Sequence, residues 1–257
     1  MRDPDSGWIR LHAGEFFLLW SALGLGELPA ALAVPHLGRT PAARAELVAN
    51  ADRALAEREL GTVDRPARDL AALLRSVADG DLVLDLHAEG AGTPYRAIGV
   101  VGRHGAASVG VEGTEVWLGA TRARNLVRTL LGALTREPAG EGIPANLRAA
   151  DFEAACAEGE REGVAGFAEV LRYAGVRPPE LAVVVRAVTH RRGGGRLGGA
   201  ARGRENRWIR GANTVNWVDT PTGRYALRRS GDWVTVTPLD PSRLRSMAEE
   251  LMGDIAG

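Results

Sequence analysis

Hydrophobic spacing in this chain changes from helical to strand period and back, and it does so twice in the same order. In the first pass, Trp8 to Leu11 alternates enough for a short strand, and a helix nearly apolar all round runs from about Gly14 to Leu23. Thr40-Pro41 is a helix start, because Thr caps free N–H groups and Pro loses nothing in the first turn. Leu47, Val48, Ala51 and Leu55 then form one stripe before the stop at Gly61, and Leu70, Leu73, Leu74 and Val77 form another before Gly80. Four period-2 runs follow, beginning with Leu82, Leu84 and Leu86, then Tyr95 to Arg103, Ser108 to Glu112 and Glu115 to Gly119. Thr121 is expected to cap a helix carrying Leu126, Val127, Leu130, Leu131 and Leu134.

The second pass repeats the scheme. A helical pattern covers Asp151 to about Glu162, and another carries Val164, Phe167, Val170, Leu171 and Ala174 up to Gly175. Residues 178–191 suit a strand by their valines. Leu181, Val184, Val185 and Val188 nonetheless fall at i, i+3, i+4 and i+7 behind Pro178-Pro179-Glu180, so a helix is expected. Strand patterns follow at about 195–201, 207–218, 224–229 and 233–237, and Asp240-Pro241 opens a last helix with Leu244, Met247, Ala248 and Leu251 inward. Asp219-Thr220-Pro221-Thr222-Gly223 reads as a hairpin turn. Trp20, Trp117, Trp217 and Trp233 are expected as apolar fillers of the core or the sheet.

Two such passes imply a degenerate internal duplication. The expectation is an α+β fold: a pseudo-twofold duplicated unit with a central antiparallel sheet flanked by helices. It forms a single domain over 1–257, with halves of about 1–136 and 145–257 and a linker at 137–144. Fusing two meanders edge to edge would remove one exposed edge from each half.

The formal net charge is zero, so global charge gives no reason to expect a nucleic-acid or membrane-surface partner. There is no lysine; every basic side chain is Arg. Cys156 stands alone, which forbids an internal disulfide and suits a reducing compartment. The most apolar run, Phe16 to Leu25, is about half the length that a bilayer crossing needs, and Glu15 and Glu27 close it. It lacks the flanks of a signal peptide, so a cytoplasmic location is expected.

No cofactor, metal or catalytic set is expected. His12, His36, His87, His104 and His190 have no ligand spacing among themselves or with Cys156. Gly24-Leu25-Gly26 and Gly90-Ala91-Gly92 are isolated glycine pairs without the strand and helix context of a phosphate loop. The segment 190–210 holds Arg191, Arg192, Arg196, Arg202, Arg204, Arg207 and Arg210 with interleaved glycines and Trp208. It reads as a solvated hairpin; the alternative is an anion or nucleic-acid contact.

Several stretches together resemble the EspG family of type VII (ESX) secretion chaperones. They are Glu15-Phe16-Phe17-Leu18-Leu19-Trp20, Leu23-Gly24-Leu25-Gly26-Glu27-Leu28-Pro29, Gly38-Arg39-Thr40-Pro41, Trp217-Val218-Asp219-Thr220, Gly223-Arg224-Tyr225 and Trp233 to Pro238. The resemblance implies a cytosolic, non-catalytic chaperone that holds a helical substrate, PE–PPE-like, by helix-in-groove recognition. It also implies partner contacts from the loop after the first long strand and from the second-half helices. Here these correspond to Glu89, Gly90, Ala91, Gly92 and Thr93, and to Phe167, Leu171, Val184 and Val188.

Overall fold

The computed structural model describes residues 3, 7–90, 92–103 and 105–257; Ala91 and His104 lie outside these. The first half runs β1 (Ile9–His12), α1 (Ala13–Ala22), a 3-10 turn (Ala30–Leu32), α2 (Pro41–Ala56) and α3 (Arg68–Ala78). It continues through β2 (Leu82–Glu89), β3 (Tyr95–Gly102), β4 (Gly105–Glu112), β5 (Glu115–Thr121) and α4 (Leu126–Leu131). The second half runs β6 (Ala145–Arg148), α5 (Ala149–Tyr173), α6 (Pro178–Val188), β7 (Gly193–Arg202) and β8 (Trp208–Arg210). It ends with β9 (Val215–Thr220), β10 (Gly223–Ser230), β11 (Trp233–Pro238) and α7 (Pro241–Ala256).

Local chemistry sets the helix starts. His12 takes the place of the usual Ser or Thr: its Nδ1 accepts from Gly14 N–H at 3.0 Å, and Glu15 accepts from His12 N–H at 2.8 Å. Thr40 and Asp240 cap α2 and α7, each followed by Pro at the first helical position. Residues 178–191 are helical as expected through Val188. Gly163, at φ 68°, splits α5 into two helices.

Among the described residues the strands form one sheet in the order β1-β5-β4-β3-β2-β7-β9-β10-β11-β6, with β8 beside β7. The order is symmetric about the β2–β7 pair: β1 answers β6, β5 answers β11, β4 answers β10 and β3 answers β9. Each half therefore donates five strands to one antiparallel sheet, and β8 is an addition with no counterpart in the first half. Leu86 faces Leu197 near the middle of the joining pair.

The register divides the sheet into two faces. Leu82, Leu84, Leu86, Leu197, Val215 and Trp217 point to one face, where α4 and α7 pack side by side over the centre. Ile98, Val100, Val109, Val116 and Ile9 point to the other under α1–α3, while Val218, Tyr225, Val236 and Leu147 lie on that same face under α5 and α6. The helices of the two halves thus sit on opposite wings of one face. Its central strands, β2 and β7, lie between them.

Several expectations change. Thr121 ends β5 and bonds Thr129 across 3.2 Å, whereas α4 begins only at Leu126 behind a 3-10 turn. The run 207–218 is two strands, because residues 211–214 leave the ladder between β8 and β9. β6 was not foreseen; it pairs with β11 as β1 pairs with β5. Residues 137–144 are not a free tether: Gly140 N–H donates to Arg224 O at 2.9 Å, and Tyr225 O–H donates to Glu141 O at 3.1 Å. Trp20 and Trp217 are buried, but Trp233 is half exposed with the Arg148 guanidinium 4.4 Å above its ring.

Candidate partner-binding surface

β2 and β7 run antiparallel, so the end of β2 meets the start of β7, with Glu89 opposite Gly194. α6 leads directly into β7. Residues 189–192, between the last residue of α6, Val188, and β7, pass the loop after β2. Arg191 ties the two together: its Nη2 donates to Glu89 Oε2 at 3.3 Å and its Nε to Gly193 O at 3.1 Å. Gly194, at φ 153°, has no room for a side chain, because an added Cβ would stand 2.4 Å from Trp217 O.

Of the residues assigned to partner contact, Glu89, Gly90, Gly92 and Thr93 are exposed on this loop. Space around Gly90 and Gly92 is open, with nothing near the position of an added Cβ. Ala91 lies outside the described residues. Phe167, Leu171 and Val184 are buried against the sheet with Tyr225, Val234 and Val236, so they hold α5 and α6 in place and present no surface. Their helical stripe is the core stripe, and spacing alone does not tell core from interface. Val188 is on the surface. Val164 and Tyr173, at the two ends of the second part of α5, are exposed apolar residues; Val164 was expected in the apolar stripe of its helix but is half exposed, and Tyr173 is 84% exposed.

The floor between the wings is apolar at one end and polar at the other. On the face shared by α1–α3, α5 and α6, Val83 faces Ala200, Asp85 faces Gly198, and His87 faces Arg196. Arg210 of β8 reaches over Gly198 to Asp85, with Nη2 to Oδ1 at 2.7 Å, and this contact holds its guanidinium more firmly protonated than usual. One end of the trough opens into a cavity of about 600 Å3 lined by Trp20, Leu28, Val83, Ala200, Trp208 and Arg210. The Arg-rich segment 190–210 is partly consumed inside the molecule. Arg191 and Arg210 pair with acids, and Arg202 donates to Gly80 O at 2.7 Å and Ala78 O at 3.1 Å while stacking on Trp208.

The opposite face has a second cavity, of about 870 Å3, lined by Trp8, Tyr95, Trp117, Trp217, Glu112 and the Asp219–Arg224 pair. The Tyr95 hydroxyl is pushed up to about 12, first by burial and then by the Glu112 charge. The fold therefore favours the neutral phenol. That preference stabilises the protein below pH 10 and is lost as pH rises from 10 towards about 12. With no lysine titrating in that range, Tyr95→Phe is expected to flatten the alkaline fall in stability; ultraviolet phenolate titration beside chemical denaturation checks it. Cys156 has its thiol pushed up by burial, then by Glu160 and Glu153, which disfavours the nucleophilic thiolate. Among the described residues no group of three His, Cys, Asp or Glu is placed to hold a metal ion, and no helix is long and apolar enough to cross a membrane.

The fold and surface define an α+β protein of duplicated halves, whose shared sheet carries a trough between two helical wings. The chain belongs to the EspG family, which matches residues 12–250. Its structure is similar to that of the Mycobacterium tuberculosis type VII secretion system chaperone EspG5, solved in complex with the PE25–PPE41 dimer. The TM-score is 0.76 at 15% identity, over 96% of each chain. No curated protein matches the sequence.

Proposed function

We propose that this protein is a cytosolic chaperone of type VII secretion, without a catalytic role, which binds a helical PE–PPE-like substrate and keeps it soluble for export. The whole chain acts as one unit, with its halves meeting at β2–β7. Family membership supports this reading, as does the shared fold with a chaperone solved on such a dimer. The observation that carries it is the meeting of the exposed β2–β3 loop with the chain that leaves α6, joined by Arg191 and Glu89 at the end of the β2–β7 pair. A helix tip seated there would be hidden from self-association.

Co-expression with helical type VII substrates encoded nearby tests the proposal. A stoichiometric complex and a raised soluble yield of the substrate are expected; its absence with every such substrate would refute the function. Gly92→Trp fills open space at the loop, and Val188→Asp puts a charge on the exposed rim. Each is expected to weaken the complex by about tenfold or more and leave the thermal midpoint unchanged. Unchanged affinity in both would move the contact elsewhere.

A further inference from the structure

The trough floor carries a row of basic side chains, two of them arginines without a carboxylate partner. Arg96 of β3, His87 of β2 and Arg196 of β7 are consecutive cross-strand neighbours on the helix-bearing face. Two strand spacings separate the arginines, about 10 Å. Among the described residues neither guanidinium has an acidic partner. The nearby acids are already engaged: Asp85 by Arg210, and Glu89 by Arg191. The His87 Nε2 atom is shielded and has no hydrogen-bond partner; the Glu89 carboxylate, which also holds Arg191, stands 3.5 Å away, at ion-pair distance. Arg96 and Arg196, two strands apart on one face, repel each other, and neither has a carboxylate of its own.

We propose that this row receives a carboxylate from the tip of the substrate, an Asp or Glu in the turn that joins two helices. The proposal rests on the chaperone reading and adds its specificity element. Helix starts are where acids concentrate, because caps and first-turn carboxylates answer the free N–H groups and the dipole. A helical hairpin entering the trough end-on brings such a group to the floor, while its apolar flanks meet Val188 and the cavity at Leu28 and Trp208. Arginine forks suit that ligand, since each can hold both oxygens of one carboxylate. A nucleic acid fits less well: Trp208, the exposed aromatic nearest the trough, already carries the Arg202 guanidinium on its ring.

The test uses fluorescent helical-hairpin peptides that differ only in the turn, carrying two Glu, two Gln or two Lys, at low and high salt. The Glu peptide is expected to bind the intact protein at least about tenfold more tightly than the Gln peptide, with a preference that salt weakens. Arg96→Gln with Arg196→Gln should erase that preference, and Arg204→Gln with Arg207→Gln should not. Equal binding of all three peptides, no binding of any, or a preference kept by the trough variant would overturn the proposal. Tighter binding of a single-stranded oligonucleotide, lost in the trough variant, would overturn it in favour of nucleic acid. Should the native substrate co-purify while the Glu peptide shows no advantage, the inference falls alone. Should no substrate co-purify, the chaperone reading falls.

Discussion

Asp219→Ala is expected to destabilise the fold by about 3–5 kcal/mol, the cost of leaving a buried charge without its partner. Arg224 is 3% exposed, and it faces Asp219 directly across the β9–β10 ladder. Its Nε donates to Oδ1 at 2.6 Å, its Nη2 donates to Oδ2 at 3.0 Å, and the guanidinium lies 5.5 Å from the Trp217 ring. Without the carboxylate, the cation keeps a carbonyl, Thr135 O at 3.3 Å, and little else. It cannot shed its proton as a buried Lys would, so the whole desolvation cost stays in the folded state. Thermal unfolding should fall by roughly 10 °C. Asp219→Asn, which keeps an acceptor and loses the charge, should lie between the two. A midpoint unchanged in Asp219→Ala would mean that the pair adds nothing to the fold.

Phe167→Ala is expected to cost about 3–5 kcal/mol through the cavity it leaves, and to reduce substrate capture only in proportion to the folded fraction. Phe167 is 4% exposed, meets Phe152 edge-on at 6.0 Å between ring centres, and packs over Gly159. Val188→Asp should do the reverse, leaving denaturation unchanged while losing the complex. Measuring both variants by denaturant midpoint and by binding of the folded fraction separates core from contact on neighbouring helices. A stable Phe167→Ala that fails to bind would return this residue to the interface.

These two variants mark how far local pattern reaches. Phe167, Leu171, Val184 and Val188 share the same helical spacing, yet only Val188 lies outside the packed stripe, because α6 ends there and the chain turns into β7. Trp217 and Trp233 both stand in alternating strands, yet one is 3% and the other 45% exposed. β9 lies well inside the sheet under α7, whereas Trp233 opens β11 opposite Arg148, next to the outermost strand. β6 went unseen because four residues between Pro144 and a helix are too few to show a period. β8 was merged with β9 although Gly211 and Asn213 between them are turn-forming residues.

The sequence by itself determined the kinds and order of the elements, the helix caps at Thr40 and Asp240, the hairpin at Pro221-Thr222, the doubling of one scheme and the family. All of these are written in neighbouring residues. Only the tertiary structure decided that both helical wings share a face, that β2 and β7 lie between them, and that Arg96, His87 and Arg196 stand in one row. A strand's alternation says which side chains go together, but not which face is buried or what the next strand sets beside them. Those depend on register between segments far apart in the chain.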